Sequence, residues 1–224
     1  MVAEKNGEPL DVDGLDFVGG RLCLDFANTT SMRASAVPRE RLHGYEDVVR
    51  WCLRAELFGG TEAARLFAMA RDNPAEAERA WRRALELREA IFALASAAGR
   101  GEPPPPAELE RLNAVLSEGM GRRRLRSAEC GLTWTWAEAA DGMEWMLWPI
   151  AYSAAELLSS GDVERVKVCG GDSCDWLFLD ASRNGTRRWC VMQDCGNRAK
   201  ARRHYHRSKE TGREPAGQQP VAEN

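Results

Sequence analysis

The chain has 224 residues, 44% of them hydrophobic, which suits one large domain or a medium domain joined to a small one. No apolar run approaches the roughly eighteen residues of a membrane span, and the N-terminus MVAEKNGEPLDVDG lacks both the basic start and the apolar stretch of a secretory signal, so a cytoplasmic, reducing setting is expected. The net charge of -3 hides an imbalance: residues 1–160 carry 19 basic against 25 acidic residues, while residues 183–209 carry nine basic residues and one acid, Asp194, so a polyanion should meet the C-terminal part first.

In chain order, residues 1–18 read as flexible. Residues 21–26 (RLCLDF) alternate partly and predict a short strand, broken by Asn28, Thr29 and Thr30. Helices dominate next: residues 45–57, stopped by Gly59-Gly60; a short helix capped by Thr61 through residue 70; and a long one opened by Asn73-Pro74, with Trp81, Leu85, Arg88 and Phe92 near helical spacing. Residues 103–106 (PPPP) form a stiff spacer before a helix over 107–116. The run Arg122–Arg126 (RRRLR) fits a solvated loop or strand edge better than a phosphate contact.

Residues 132–136 (LTWTW) alternate in period two, and Asp141-Gly142 predicts a hairpin turn to residues 143–148 (MEWMLW). Trp134 and Trp136 share one face, more readily core than a stacking surface. A helix over 151–158 ends at Gly161. Residues 210–224 read as a disordered tail. The fold class is α+β: a mainly helical body over 19–160, with a short strand and a Trp-rich hairpin, then a small treble-clef-like module over 161–209.

Seven cysteines divide into two sets. Cys23, Cys52 and Cys130 lie among apolar or mixed neighbours and read as small core residues. Cys169, Cys174, Cys190 and Cys195 form two pairs, each with a four-residue gap, fifteen residues apart. In a reducing compartment that spacing points to one tetrahedral metal site, with zinc ahead of iron, and less to two disulfides or unligated thiols. Four thiolates leave no position for water, so the metal is expected to be structural. If one cysteine were not a ligand, His206 would be the substitute to suspect; His204 and His206 otherwise come too late. Residues 176–180 (WLFLD) and 187–190 predict the strands of a hairpin turning at Asn184-Gly185, buttressed by Trp176 and Trp189. Cys195 then opens a basic helix.

The basic set Arg183, Arg187, Arg188, Arg198, Lys200, Arg202, Arg203, Arg207 and Lys209, with Asn197, can grip phosphates. Duplex DNA is the expected partner, with a protein-interaction module as the alternative. An enzyme in the body is the third option, but no nucleophile–base–acid set appears, and His43 is the only histidine there.

The run over 169–207, with Cys195-Gly196-Asn197-Arg198 unbroken, resembles the CGNR zinc-finger family. The preceding region, from residues 22–29 (LCLDFANT) through the helices, resembles the ABATE domain of bacterial stress-induced transcription regulators. The resemblance implies one zinc ion on the four cysteines and a DNA-binding finger. It also turns attention to Asp25, Asn28 and Thr29. A structural role, accepting buried backbone bonds and capping the next element, is one reading. A small-effector pocket shared with Trp134 and Trp136 is the other. A two-fold dimer is attractive for reaching a duplex, though no heptad seam calls for one.

Overall fold

The computed structural model describes residues 12–136 and 142–210. The expected flexible start is built in from Val12 onward. Val12 and Leu15 are buried in the core, and the Arg54 guanidinium donates to both of their carbonyls. The tail from residue 211 and the turn residue Asp141 lie outside the described residues.

The first element corrects the sequence. Leu22–Ala27 is a short helix, α1, rather than a strand. Cys23, Leu24, Phe26 and Ala27 are all fully buried, and a segment covered on every side carries no reliable period. The two-residue strands β1 (Thr30–Ser31) and β2 (Arg39–Glu40) pair antiparallel. Helices α2 (Tyr45–Arg54) and α3 (Gly60–Asp72) follow, with Gly59 rather than Thr61 at the start of α3.

Helix α4 (Pro74–Gly99) is the axis of the body. Pro74 starts it because a first-turn residue needs no N–H acceptor and proline's φ is already helical. Ala80, Ala84, Leu87, Ile91 and Leu94, three and four residues apart, form the stripe it buries. Helices α1, α2, α3, α5 (Pro106–Met120) and α6 (Leu147–Leu158) all pack against it. This helix also buries a charge: Arg88, 4% exposed, forks both oxygens of Glu40 at 2.6 and 2.8 Å. Burial pushes Glu40 up, but Arg88 and the N–H groups of Leu42 and Arg41 prevail and hold it below the usual carboxylate range.

The aromatic hairpin has a different partner from the one expected. Strand β4 (Gly131–Trp136) pairs with β3 (Arg123–Ala128), and residues 143–146 instead lead into α6. The arginine run is thus one strand of the hairpin. The hairpin leans on α6 only at its base, where Trp136 meets Trp148 and Tyr152 at ring separations of 6.2 and 6.1 Å. Trp134, further out, is 57% exposed, under the Arg123 guanidinium rather than in the core. Cys130, also expected inside, is exposed in the hairpin turn, while Cys23 and Cys52 are buried as expected.

After a 3₁₀ turn (Gly161–Arg165), β5 (Val166–Val168) and β6 (Leu177–Leu179) form the third antiparallel pair, Val168 opposite Leu177. Val166 and Leu177 belong to the main core, so the metal module is not a separate globule. The described residues end in a π-helical turn (Met192–Gly196) and α7 (Asn197–Glu210). No helix among the described residues is long and apolar enough to cross a membrane.

Candidate metal centre

The hairpin β5–β6 carries the first pair of cysteines in its connection. Cys169 follows β5 directly and its N–H donates to the Trp176 carbonyl at 2.8 Å, extending the ladder; Cys174 lies in the intervening knuckle. The second pair comes from the other side. Residues 187–190 are not the returning strand that the sequence predicted, because their polar groups are captured by the first knuckle and by Asp180. Gly170 N–H donates to the Arg188 carbonyl at 2.9 Å, and Cys190 N–H to Cys169 Sγ at 3.3 Å.

Asp180, fully buried, organises that loop and was missed in the sequence, where its only signal is the polar end of the strand WLFLD. One oxygen accepts from the N–H and hydroxyl of Ser182, the other from Arg187 N–H and the Lys167 ammonium. Hydrogen bonds from Lys167 and Ser182 hold its carboxyl well below the usual range. The Asn184-Gly185 turn is present, with Gly185 at φ +59, a conformation that residues with a Cβ adopt only at a cost.

The four Sγ atoms lie within 4.8 Å of one another, with Cys174–Cys190 and Cys190–Cys195 both at 3.7 Å. Those separations are too long for S–S bonds. They suit four thiolates about one ion, since sulfurs ~2.3 Å from a tetrahedral zinc are about 3.8 Å apart. Three of the four side chains are buried. Cys169 is driven far below the ordinary thiol range by hydrogen bonds from Cys174 and Cys190, while the same sharing pushes Cys174 and Cys190 up. The donor set is therefore four soft sulfurs able to hold a metal ion. Neither His204 nor His206 belongs to it.

The tetrapeptide from Cys195 to Arg198 serves this centre. Arg198 donates to Cys195 Sγ at 3.1 Å and pairs with Asp194 at 3.0 Å; Asn197 Nδ2 donates to the Gln193 carbonyl at 2.8 Å and closes the π-helical turn. Arg187, expected to face a partner, turns inward instead. Its guanidinium reaches the carbonyls of Trp189 and Cys190 and lies 4.6 Å from the Phe178 ring centre. Trp176 and Trp189 do buttress the module, and Trp176 Nε1 donates to the Thr30 carbonyl at 3.1 Å.

Residues 22–29 bear on the same module from the body side. Asn28 bonds both backbone groups of Leu177, and Gly19 O accepts from Leu179 N–H at 2.8 Å. Asp25 holds Gly19 through its N–H at 2.7 Å, and the Thr29 hydroxyl donates to the Phe26 carbonyl. Asn28, and Gly19 held by Asp25, thus cover the outer edge of β6, while Thr29 closes the end of α1; this is the structural reading of the three residues. Trp134 and Trp136, on their hairpin over α6, are not among the partners of these groups. His43 borders a shallow cleft that Asp25 does not line, so the two do not converge there as an active site.

The ABATE family model, described as "Putative stress-induced transcription regulator", matches residues 20–161. The chain belongs to the ABATE family. Its C-terminal part is a CGNR zinc finger, matched over residues 165–208. None of the curated proteins matches the chain. The two matches make this an ABATE-domain protein fused to a zinc-finger domain, of a kind described as regulatory rather than catalytic. The LCLDFANT segment of the ABATE part ends on the strand that carries the zinc-finger knuckle.

Proposed function

We propose that this ABATE protein is a DNA-binding transcription regulator in which one structural zinc ion mounts α7 as a phosphate-gripping helix. Zinc fits the four soft sulfur donors, and the closed set leaves no site for water to react. The observation that carries the DNA reading is α7 itself. Every residue from Lys200 to Arg207 is exposed, and the helix packs mainly on the metal-bearing turn before it, with Arg202 paired to Asp172 of the first knuckle. A helix polar all round, fixed at one end, has no core to serve and is suited to a polar partner.

Its cations form two stripes by helical spacing. Arg202 and Lys209 lie on one side; Lys200, Arg203 and Arg207 lie on the other. Arg188 from the preceding loop adds to the second side, across a cleft shared with Arg202, Arg203 and Arg207. Arg183 is exposed on the loop before it. Asn197, Arg198 and Arg187 support the mount rather than the grip.

Fluorescence anisotropy of the zinc-loaded chain on a random duplex tests the reading. Five phosphate contacts give a slope of roughly -4 to -5 in log K against log salt. Absence of duplex binding at low salt, with zinc bound, would reject it and leave the protein-interaction alternative. A two-fold dimer would present two such helices, and sedimentation with and without duplex reads that directly.

A further inference from the structure

A cleft of about 760 Å³ opens where the last turn of α4 meets the metal module. Ser96 of α4, Arg100 just after it, Val168 of β5, and Thr186 and Arg188 of the loop after β6 line it. It is distinct from the Asp25–Asn28–Thr29 group and from the four sulfurs.

Three features distinguish it from a packing gap. Ser96 is 5% exposed, yet its hydroxyl has no hydrogen-bond partner, and a buried hydroxyl without one loses its water for nothing in return. Val168 is 39% exposed, while its strand neighbour Val166 and its cross-strand partner Leu177 are buried. Arg188 is exposed and its guanidinium lies by the Trp189 ring, while Arg100 pairs with the equally exposed Glu102. The other two cations at the cleft are already engaged: Lys167 with Asp180 and two carbonyls, Arg187 with two carbonyls and the Phe178 ring. The cleft therefore combines a buried hydroxyl, an apolar patch and two guanidinium groups at its margin.

We infer that this cleft binds a small organic anion, with its carboxylate or phosphate head paired by Arg188 and Arg100. A short apolar body covers Val168, and an acceptor atom meets the Ser96 hydroxyl. The volume suits a metabolite-sized molecule, and guanidinium is the side chain best matched to either head group.

Arg188 also lines the second cleft, about 460 Å³, between the first knuckle and α7. Arg188 thus borders both. An anion that draws Arg188 into the first cleft withdraws a positive charge from the α7 side. This consequence rests on the DNA reading; the site itself does not.

The test titrates phenyl phosphate and, separately, benzoate into the zinc-loaded full chain by calorimetry. Saturable binding of at least one is expected, weakened about tenfold in Ser96→Ala and in Arg188→Gln. Arg203→Gln, which lines only the second cleft, leaves it unchanged, and the tighter probe identifies the head group. No saturable binding of either probe, or equal binding by the Ser96→Ala and Arg188→Gln proteins, overturns the site. With phenyl phosphate saturating, duplex affinity should fall several-fold in the parent chain and not in Arg188→Gln. An equal fall in both overturns the coupling. Anion binding without any duplex binding sinks the DNA reading and leaves the site standing.

Discussion

The carboxamide of Asn28 clasps the backbone of Leu177, donating to its carbonyl at 2.9 Å and accepting its N–H at 2.7 Å. The bonds join residues 149 positions apart, both buried. The side chain stands where a neighbouring strand would be, so the outer edge of β6 is neither exposed nor unsatisfied. Asn28→Leu leaves both backbone groups of Leu177 buried without partners, at about 1–2 kcal/mol each. A loss of about 2–4 kcal/mol is expected. At about 2–4 °C per kcal/mol for a chain of this size, the Tm of the zinc-loaded protein should drop by roughly 5–15 °C. Asn28→Asp keeps an acceptor but faces a carboxylate to the Leu177 carbonyl, and should cost as much. An unchanged Tm in calorimetry would show that the clasp contributes nothing.

That clasp changes what metal removal should do. A module of about fifty residues buries little surface of its own, and ion binding supplies ~10 kcal/mol of order to such units. Yet Val166 and Leu177 sit in the body's core, while the second pair of cysteines belongs to the small cluster around Phe178 and α7 packs on the turn that carries Cys195. Chelation, or Cys195→Ser, should therefore abolish hydrogen-exchange protection over residues 187–207 while β5, β6 and α4 keep theirs. Loss of protection throughout the chain would mean that the body depends on the ion. Full retention over 187–207 would mean that the sulfurs do not hold the module together.

What could be read beforehand follows from how local each signal is. The four cysteines declare themselves by spacing, and α4 by an apolar stripe at helical spacing and a proline at its start. Helix α1 was misread because all its faces are covered, and the hairpin was mispaired because a turn dipeptide at 141–142 competed with a real turn at Glu129 and Cys130 that carries no such signal. Asn28 and Asp25 look like any polar residues after an apolar run; their meaning depends on β6, which lies some 150 residues later. Arg187 and Arg198 share the charge of their neighbours, and only geometry separates those that brace the metal centre from those that face outward. Ser96 had no sequence signal, since a serine in a helix ordinarily bonds its own backbone.

Asp25 should make stability fall as pH rises. Burial raises its pKa from 3.8 to about 6, against the opposing N–H bonds of Gly19 and Val18. Between those two values the folded chain holds more protons than the unfolded chain. Stability from this group is therefore present below about pH 4, declines up to about pH 6, and is then flat. The difference of about two pH units corresponds to roughly 3 kcal/mol. Asp25→Asn keeps an oxygen for Gly19 and removes the titration. It should be more stable than the parent at neutral pH by a few kcal/mol at most, with the advantage shrinking toward pH 4. Tm profiles of the two proteins over pH 4–7 check this, because acid effects on the thiolates are common to both and cancel in the difference. A constant gap across that range would show that Asp25 is not the titrating group.

Gly99 offers a sharper probe of how closely the body and the zinc finger are fitted. A Cβ there would stand 2.4 Å from the Val166 carbonyl oxygen, which is backbone and cannot rotate away. Gly99 is the last residue of α4, so alanine gains helix propensity of about 1 kcal/mol at most. The clash forces β5 outward at a cost of about 1–3 kcal/mol, and repulsion should win. Gly99→Ala is expected to lower Tm by several degrees and to raise hydrogen exchange at β5 and β6 more than at α5. Gly101→Ala provides the contrast. It has open space for a Cβ but a φ of +68, so its cost is backbone strain alone and should leave exchange at β5 unaltered. If Gly99→Ala instead stabilises the chain, as an ordinary helix substitution does, the contact between α4 and β5 is looser than 2.4 Å implies.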